Sequence, residues 1–310
     1  MIDRSKMTTA PLARWSFRIA LFVAALAFIG VVLHRFASFP TPVVVNLFLV
    51  VIAGSVLAVL AGTIAMAQIW RRGQAGAGAA AVGILLPLAM FAWPMTYLPA
   101  YFSLPEINDI TTDPASPPAF EALAKLRGGT ANPAAYSSRF APLQQAAYPD
   151  LHPIVIDRST EEAFELVVEA VYRLHWKVVA ATPPSVRPAR PGLLEAVDQT
   201  MIIGFPDDIS IRIEGDARRA RIDIRSASRY GRNDFGQNAA RMRRFSAELR
   251  TRLDTTAPNI VAGRRMPRAR AGALLKRLKA RGQQKGEVRS APDRAQSNAQ
   301  RGRGQKETPR

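Results

Sequence analysis

Cysteine is absent from all 310 residues, which excludes disulfides, thiolate catalysis and cysteine-ligated zinc. Histidine is scarce: His34, His152 and His175 are scattered along the chain. No His-Glu-x-x-His, no Gly-x-Ser-x-Gly and no metal-ligand spacing occurs, so there is no enzyme signature and no cofactor is implied. Acids are outnumbered, with 24 Asp and Glu against 42 Lys and Arg. The imbalance is local: Ala262 to Arg310 holds fifteen basic residues and three acids, which accounts for +12 of the net charge of +18. That stretch also lacks aromatic residues, which argues against single-stranded nucleic acid as its partner.

What is plentiful is apolar sequence near the N-terminus. Three runs, Trp15 to Leu33, Val43 to Trp70 and Ala75 to Leu98, meet or nearly meet the roughly 20 apolar residues a membrane-spanning helix needs. The first lacks a clear small-x-small cleavage site and is followed by two more spans, so it reads as an anchor rather than a signal peptide. Arg4, Lys6 and Arg14 precede it and Arg18 lies near its start, only Arg35 lies in the first loop, and Arg71 and Arg72 lie in the second. The excess of basic residues in short flanks marks the cytoplasmic side. The expected topology is therefore a bacterial inner-membrane protein, N-terminus cytoplasmic, with everything after Leu98 in the periplasm. Trp93, Tyr97 and Tyr101 suit the exit interface, where Pro94 and Pro99 are expected to end the helix. The glycines from Gly73 to Gly78 are not a nucleotide loop, since no strand precedes them and no Lys-Ser/Thr pair follows. They suit close helix packing instead.

Three domains are expected: an anchor over 1–102, an α+β globular domain over 103–258 and a basic low-complexity tail over 259–310. Ser103 to Pro118 reads as extended, Ala119 to Leu126 as a short helix, and Arg127 to Pro149 as loop. Pro153 to Ile156 is a short strand. Ser159 or Thr160 caps a helix whose apolar residues Ala163, Phe164, Val167, Val168 and Val171 recur at helical spacing. Trp176 to Ala180, Leu193 to Val197 and Met201 to Phe205 read as strands, and the proline-rich Thr182 to Gly192 as loop. Strict alternation marks Ile209 to Glu214 and Arg221 to Arg225 as strands of a hairpin. Charge matching sets Glu214 opposite Arg221 and Arg212 opposite Asp223. Asp234, with Gln237 three residues on, caps a helix that carries Phe235, Ala239, Met242, Phe245 and Leu249 on one side and ends near Thr255. The fold class is α+β, a mostly antiparallel sheet covered by helices.

The Tyr148-Pro149-Asp150 turn, Ala163-Phe164, Leu194-Glu195-Ala196, Phe205-x-Asp207-Asp208, Arg212, Ile222 to Ser226, Ser228-Arg229-x-Gly231 and Asp234 to Arg241 together form a recognisable pattern. Over roughly Glu106 to Leu253 the chain resembles a bacterial family known as domain of unknown function fourteen ninety-nine, whose members often carry membrane spans ahead of the domain. The resemblance implies an envelope-associated domain and no established activity, so nothing catalytic carries over.

On their own chemistry, Asp207 and Asp208 could hold a hard cation or share acid and base roles, or could make an ordinary strand-entering turn. Asp223, Arg225, Ser226, Ser228, Arg229 and Arg241 could frame a pocket for a phosphate, carboxylate or sulfated sugar, because guanidinium offers a planar fork of donors. The plainer alternative is a solvated sheet face. The candidate ligand-binding set is thus Asp207, Asp208, Asp223, Arg225, Ser228, Arg229 and Arg241, with none assigned as catalytic. The tail could grip anionic lipid, lipopolysaccharide or another envelope polyanion, or merely solubilise. Two functions compete: a non-enzymatic envelope protein that binds a ligand or partner, and a membrane-anchored hydrolase or transferase using Asp207, Asp208, Arg225 and Arg229. A cytoplasmic nucleic-acid binder requires the opposite topology.

Overall fold

The computed structural model describes residues 8–37, 39–186 and 189–256. It divides into two units. The first ends at Leu104 and takes in the later segment Thr200–Phe205; the second holds Pro105–Gln199 and the chain from Pro206. The basic tail expected to be disordered lies outside the described residues.

The first unit is built on α1 (Pro11–Ala37), α2 (Thr41–Arg72) and α3 (Ala77–Met95), each long and apolar enough to cross a membrane. Without a hydrophobic force between helices in lipid, small residues must let them approach closely. Ala10, Ala13, Ala65 and Ala80 form such a packed cluster. A Cβ added at Gly83 would come within 2.8 Å of the Ser16 Cβ, so α3 can seat against α1 only through glycine there. The Ser16 hydroxyl meets its hydrogen-bond need by donating to the Ala58 carbonyl of α2. The two exit prolines divide their roles differently from expectation. Pro94 sits inside the last turn of α3, and Pro99 opens a short helix, α4 (Leu98–Ser103).

The second unit is an antiparallel sheet with strand order β1-β8-β7-β6-β3, and β2 also pairs with β8. The strands are β1 (Asp109–Thr111), β2 (Ile154–Ile156), β3 (Lys177–Thr182), β6 (Gly192–Gln199), β7 (Pro206–Gly215) and β8 (Ala220–Ser228). The charge-matched register holds, with Glu214 opposite Arg221 and Arg212 opposite Asp223. Ile209, Ile211, Ile213, Ile222 and Ile224 are fully buried on one face. Ser226, two residues on from Ile224 and so on the same face, bonds Asn238 of α7 (Gln237–Thr255), which identifies this as the helix side. α6 (Thr160–Arg173) and α7 supply Phe164, Val167, Met242 and Phe245 to the same core, where Trp176 stacks on Phe245. The Ser159 hydroxyl caps α6 by accepting from the Glu162 amide.

Several expectations are corrected. Met201–Phe205 is not a strand but a turn, because Thr200 Oγ1 takes the amides of Gly204 and Phe205 that a ladder would need. The stretch expected as loop after Arg127 contains α5 (Phe140–Ala147), whose Phe140 and Gln144 are buried one turn apart. The short helix before it shrinks to a 3-10 turn, Ala124–Leu126. The proline-rich loop contains a two-residue ladder of β4 (Ser185–Val186) with β5 (Ala189–Arg190). Asp207 and Asp208 are not a turn; both are ladder residues of β7. The polar sheet face is not solvated: Asp208, Ser210, Asp223 and Arg225 are buried beneath residues 105–140.

Candidate functional site

Because strand neighbours point to opposite faces, the sheet separates the seven candidate residues into two groups. Asp207, Ser228 and Arg241 belong to the helix side; Asp208, Asp223, Arg225 and Arg229 belong to the other. No single pocket holds Arg225 and Arg241 together.

On the helix side, Arg241 is the hub. Its guanidinium, 3% exposed, bonds Asp207 and Asp198, and also reaches Ser226 and Asn238. Desolvation would lower its pKa, but the charges of Asp207 and Asp198 hold it above its ordinary value. Asn238 donates to the Ser228 hydroxyl. Asp234 caps α7 from outside it, accepting from the amides of Gly236 and Asn238. Burial pushes the Asp234 carboxyl up against those two bonds.

The other face is organised around two acids. Asp208, fully buried, lies between Arg127 Nε at 2.8 Å and Arg229 Nη2 at 2.7 Å. Asp109 receives Arg225 through two parallel bonds of 2.6 and 3.0 Å. Arg225 spends its remaining donors on the carbonyls of Pro118 and Ala134, and its plane lies over Phe120. Burial raises the Asp109 pKa even though Arg225 opposes it. Asp223 anchors a third cluster with Arg212, Arg221 and Asp113. Glu195 needs no cation: it accepts the backbone amides of Glu121, Ala122 and Leu123 and so fixes the start of the 3-10 turn. Unpaired, any of these charges would cost several kcal/mol to bury, roughly, so each one fixes a specific piece of the covering layer to the sheet.

Two clefts open beside this layer. One, of about 530 Å³, is lined by Pro117, Phe120, Tyr136 and Arg225. The Tyr136 hydroxyl is buried without a hydrogen-bond partner, and burial pushes its pKa up to about 12. The second, of about 320 Å³, is lined by Asn108, Arg127, Asn132, Ser137, Arg139 and Ser228 among others. Arg127 donates through Nη1 to the Asn132 and Pro133 carbonyls, and its Nη2 is buried with no hydrogen-bond partner among the described residues. Arg139 lies over the Phe140 ring and forms no ion pair among the described residues. Of the seven residues, then, Ser228 reaches the second cleft and Arg225 the first. No cluster of three His, Cys, Asp or Glu that could hold a metal occurs among the described residues.

Asp109, Glu195, Asp198 and Asn238 were missed as partners, and Arg127 and Arg139 as cleft residues. Glu195 left a signal, a carboxylate between Leu194 and Ala196 in an apolar strand, which has to be satisfied when buried. Arg127 and Arg139 left none, since a cation in a loop is ordinarily solvated.

No curated protein and no solved structure matches the chain. The segment from Asp109, the buried partner of Arg225, to Leu249, a fully buried residue of α7, does match a family model. The chain has three helices long and apolar enough to span a membrane, and its residues 109–249 match the model of a family described as protein of unknown function, DUF1499.

Proposed function

We propose that this is a bacterial inner-membrane protein whose DUF1499 domain, in the periplasm, binds an anionic ligand or partner without catalysis. The observation that carries the reading is how the charges are distributed. Asp207, Asp208, Asp223, Arg225 and Arg241 are each consumed in buried ion pairs, while Arg139, exposed and without an ion pair among the described residues, stands at the second cleft. A general acid or nucleophile has to meet its substrate, and side chains held between guanidinium groups under a covering layer do not. A cleft edged by the Arg139 guanidinium suits a carboxylate, phosphate or sulfate. The hydrolase alternative needs Asp207 and Asp208 in one site, and they lie on opposite faces of β7. The basic residues after Ala262 suit anionic lipid or lipopolysaccharide as a surface partner of the same charge class.

The test is calorimetric titration of the full chain in nanodiscs with inorganic phosphate, glycerol phosphate and glucuronate. Arg139→Ala is expected to weaken whichever anion binds by about tenfold, the loss of one charge-assisted hydrogen bond, with the melting temperature of the free protein unchanged. Equal affinities in the two proteins would remove the cleft from the account.

A further inference from the structure

The turn Thr200–Phe205 groups with the helices and is unusually well closed for six residues. The Thr200 amide donates to the Phe205 carbonyl at 3.0 Å, and Thr200 Oγ1 accepts from Gly204 and Phe205. It is fastened to the last turn of α1. His34 Nδ1 lies 2.8 Å from the Ile203 carbonyl, Arg35 Nη1 donates to the Thr200 carbonyl, and the Phe205 ring meets His34 edge-on at 5.3 Å. Gly204 has φ 85°, and a Cβ there would come within 3.0 Å of the Arg35 side chain, so both the turn and its seat require glycine. The Thr200 and Ile203 carbonyls thus bond α1, and the Thr200 side chain closes the turn from within. What it presents outward is Met201, 80% exposed, and Ile202, 41% exposed.

We propose that Met201 and Ile202 insert into the interfacial layer of the bilayer that α1 spans. α1 is roughly 40 Å long at 1.5 Å per residue, longer than the hydrocarbon core of about 30 Å, so its last turn lies at the membrane surface. Phe36, 72% exposed at that same end, continues the apolar surface. An exposed Met-Ile tip fastened at this level through Thr200, Ile203 and Phe205 has the bilayer as its nearest apolar solvent. The inference is independent of any ligand in the clefts.

Because the chain has no cysteine, Met201→Cys or Ile202→Cys gives a unique attachment point for an environment-sensitive fluorophore, and Ala217→Cys in the exposed β7–β8 turn gives a control. In nanodiscs of phosphatidylglycerol and phosphatidylethanolamine, labels at 201 and 202 are expected to be blue-shifted. A lipid carrying a nitroxide near its headgroup should quench them more than aqueous iodide does, with the opposite order at 217. Iodide quenching at 201 and 202 equal to that at 217 would overturn the inference. Protection from both quenchers would overturn it too, by assigning the tip to a protein surface, either a second copy or a different partner.

Discussion

Asp208 is one fully buried carboxylate between two guanidinium groups, the buried Arg127 and the partly exposed Arg229. Neutralising it leaves Arg127 and Arg229 facing each other with no counter-charge. Asp208→Asn is therefore expected to destabilise the second unit by about 3–5 kcal/mol in denaturant titration, the cost of breaking a buried pair from one side. Asp150, whose bonds to Arg243 are half exposed, is the contrast. Its pKa is lowered mainly by the Arg243 hydrogen bonds, yet solvent screens the pair, so Asp150→Asn should cost less than about 1 kcal/mol. Similar losses for both would mean that the Asp208 cluster is not the fastening it is described as here. These side chains were the least legible part of the sequence. Their types are visible, but whether a charge is solvated or buried depends on which partner arrives from more than a hundred residues away, as Asp109 does for Arg225.

At the scale of elements, legibility followed the length of the repeating pattern. β7 and β8 alternate strictly over Ile209 to Glu214 and Arg221 to Arg225, so their existence and register could be read, though their full extents of ten and nine residues could not. α6 shows both a cap and a helical period. β2 was read from its apolar run alone, but β1 and α5 could not be assigned, because three residues of mixed polarity carry no period and eight barely carry one. These pieces form through tertiary bonds instead. Gln144 of α5 accepts from the Thr111 amide at 2.9 Å and donates to the Thr111 carbonyl at 2.6 Å, satisfying both backbone groups of a buried β1 residue. Gln144→Ala leaves the pair unsatisfied at about 1–3 kcal/mol for each group. The expected signature is local: amide hydrogen exchange at Thr111 should accelerate far more than at Ile211 in the centre of β7. Uniform acceleration across the sheet would show that α5 is not an independent clasp.

At the scale of the whole molecule, the proposed function depends on which side of the membrane the domain that matches DUF1499 occupies. Three spans place the segment before the first and the chain after the third on opposite sides. The proposed orientation follows from Arg71 and Arg72 in the second loop and from the basic residues ahead of α1, since short flanks rich in Lys and Arg stay in the cytoplasm. In the periplasm, the Arg139 guanidinium at a cleft and a strongly basic C-terminal stretch would meet anionic lipids and glycans. In the cytoplasm, the same basic stretch would meet nucleic acid first. The most direct measurement is a pair of reporter fusions after Leu253 and after Arg310, one enzyme active only in the periplasm and one protein fluorescent only in the cytoplasm. The account predicts periplasmic activity and no fluorescence at both positions. Fluorescence at both, with no periplasmic activity, would contradict it and make the basic stretch the leading guide to a nucleic-acid partner.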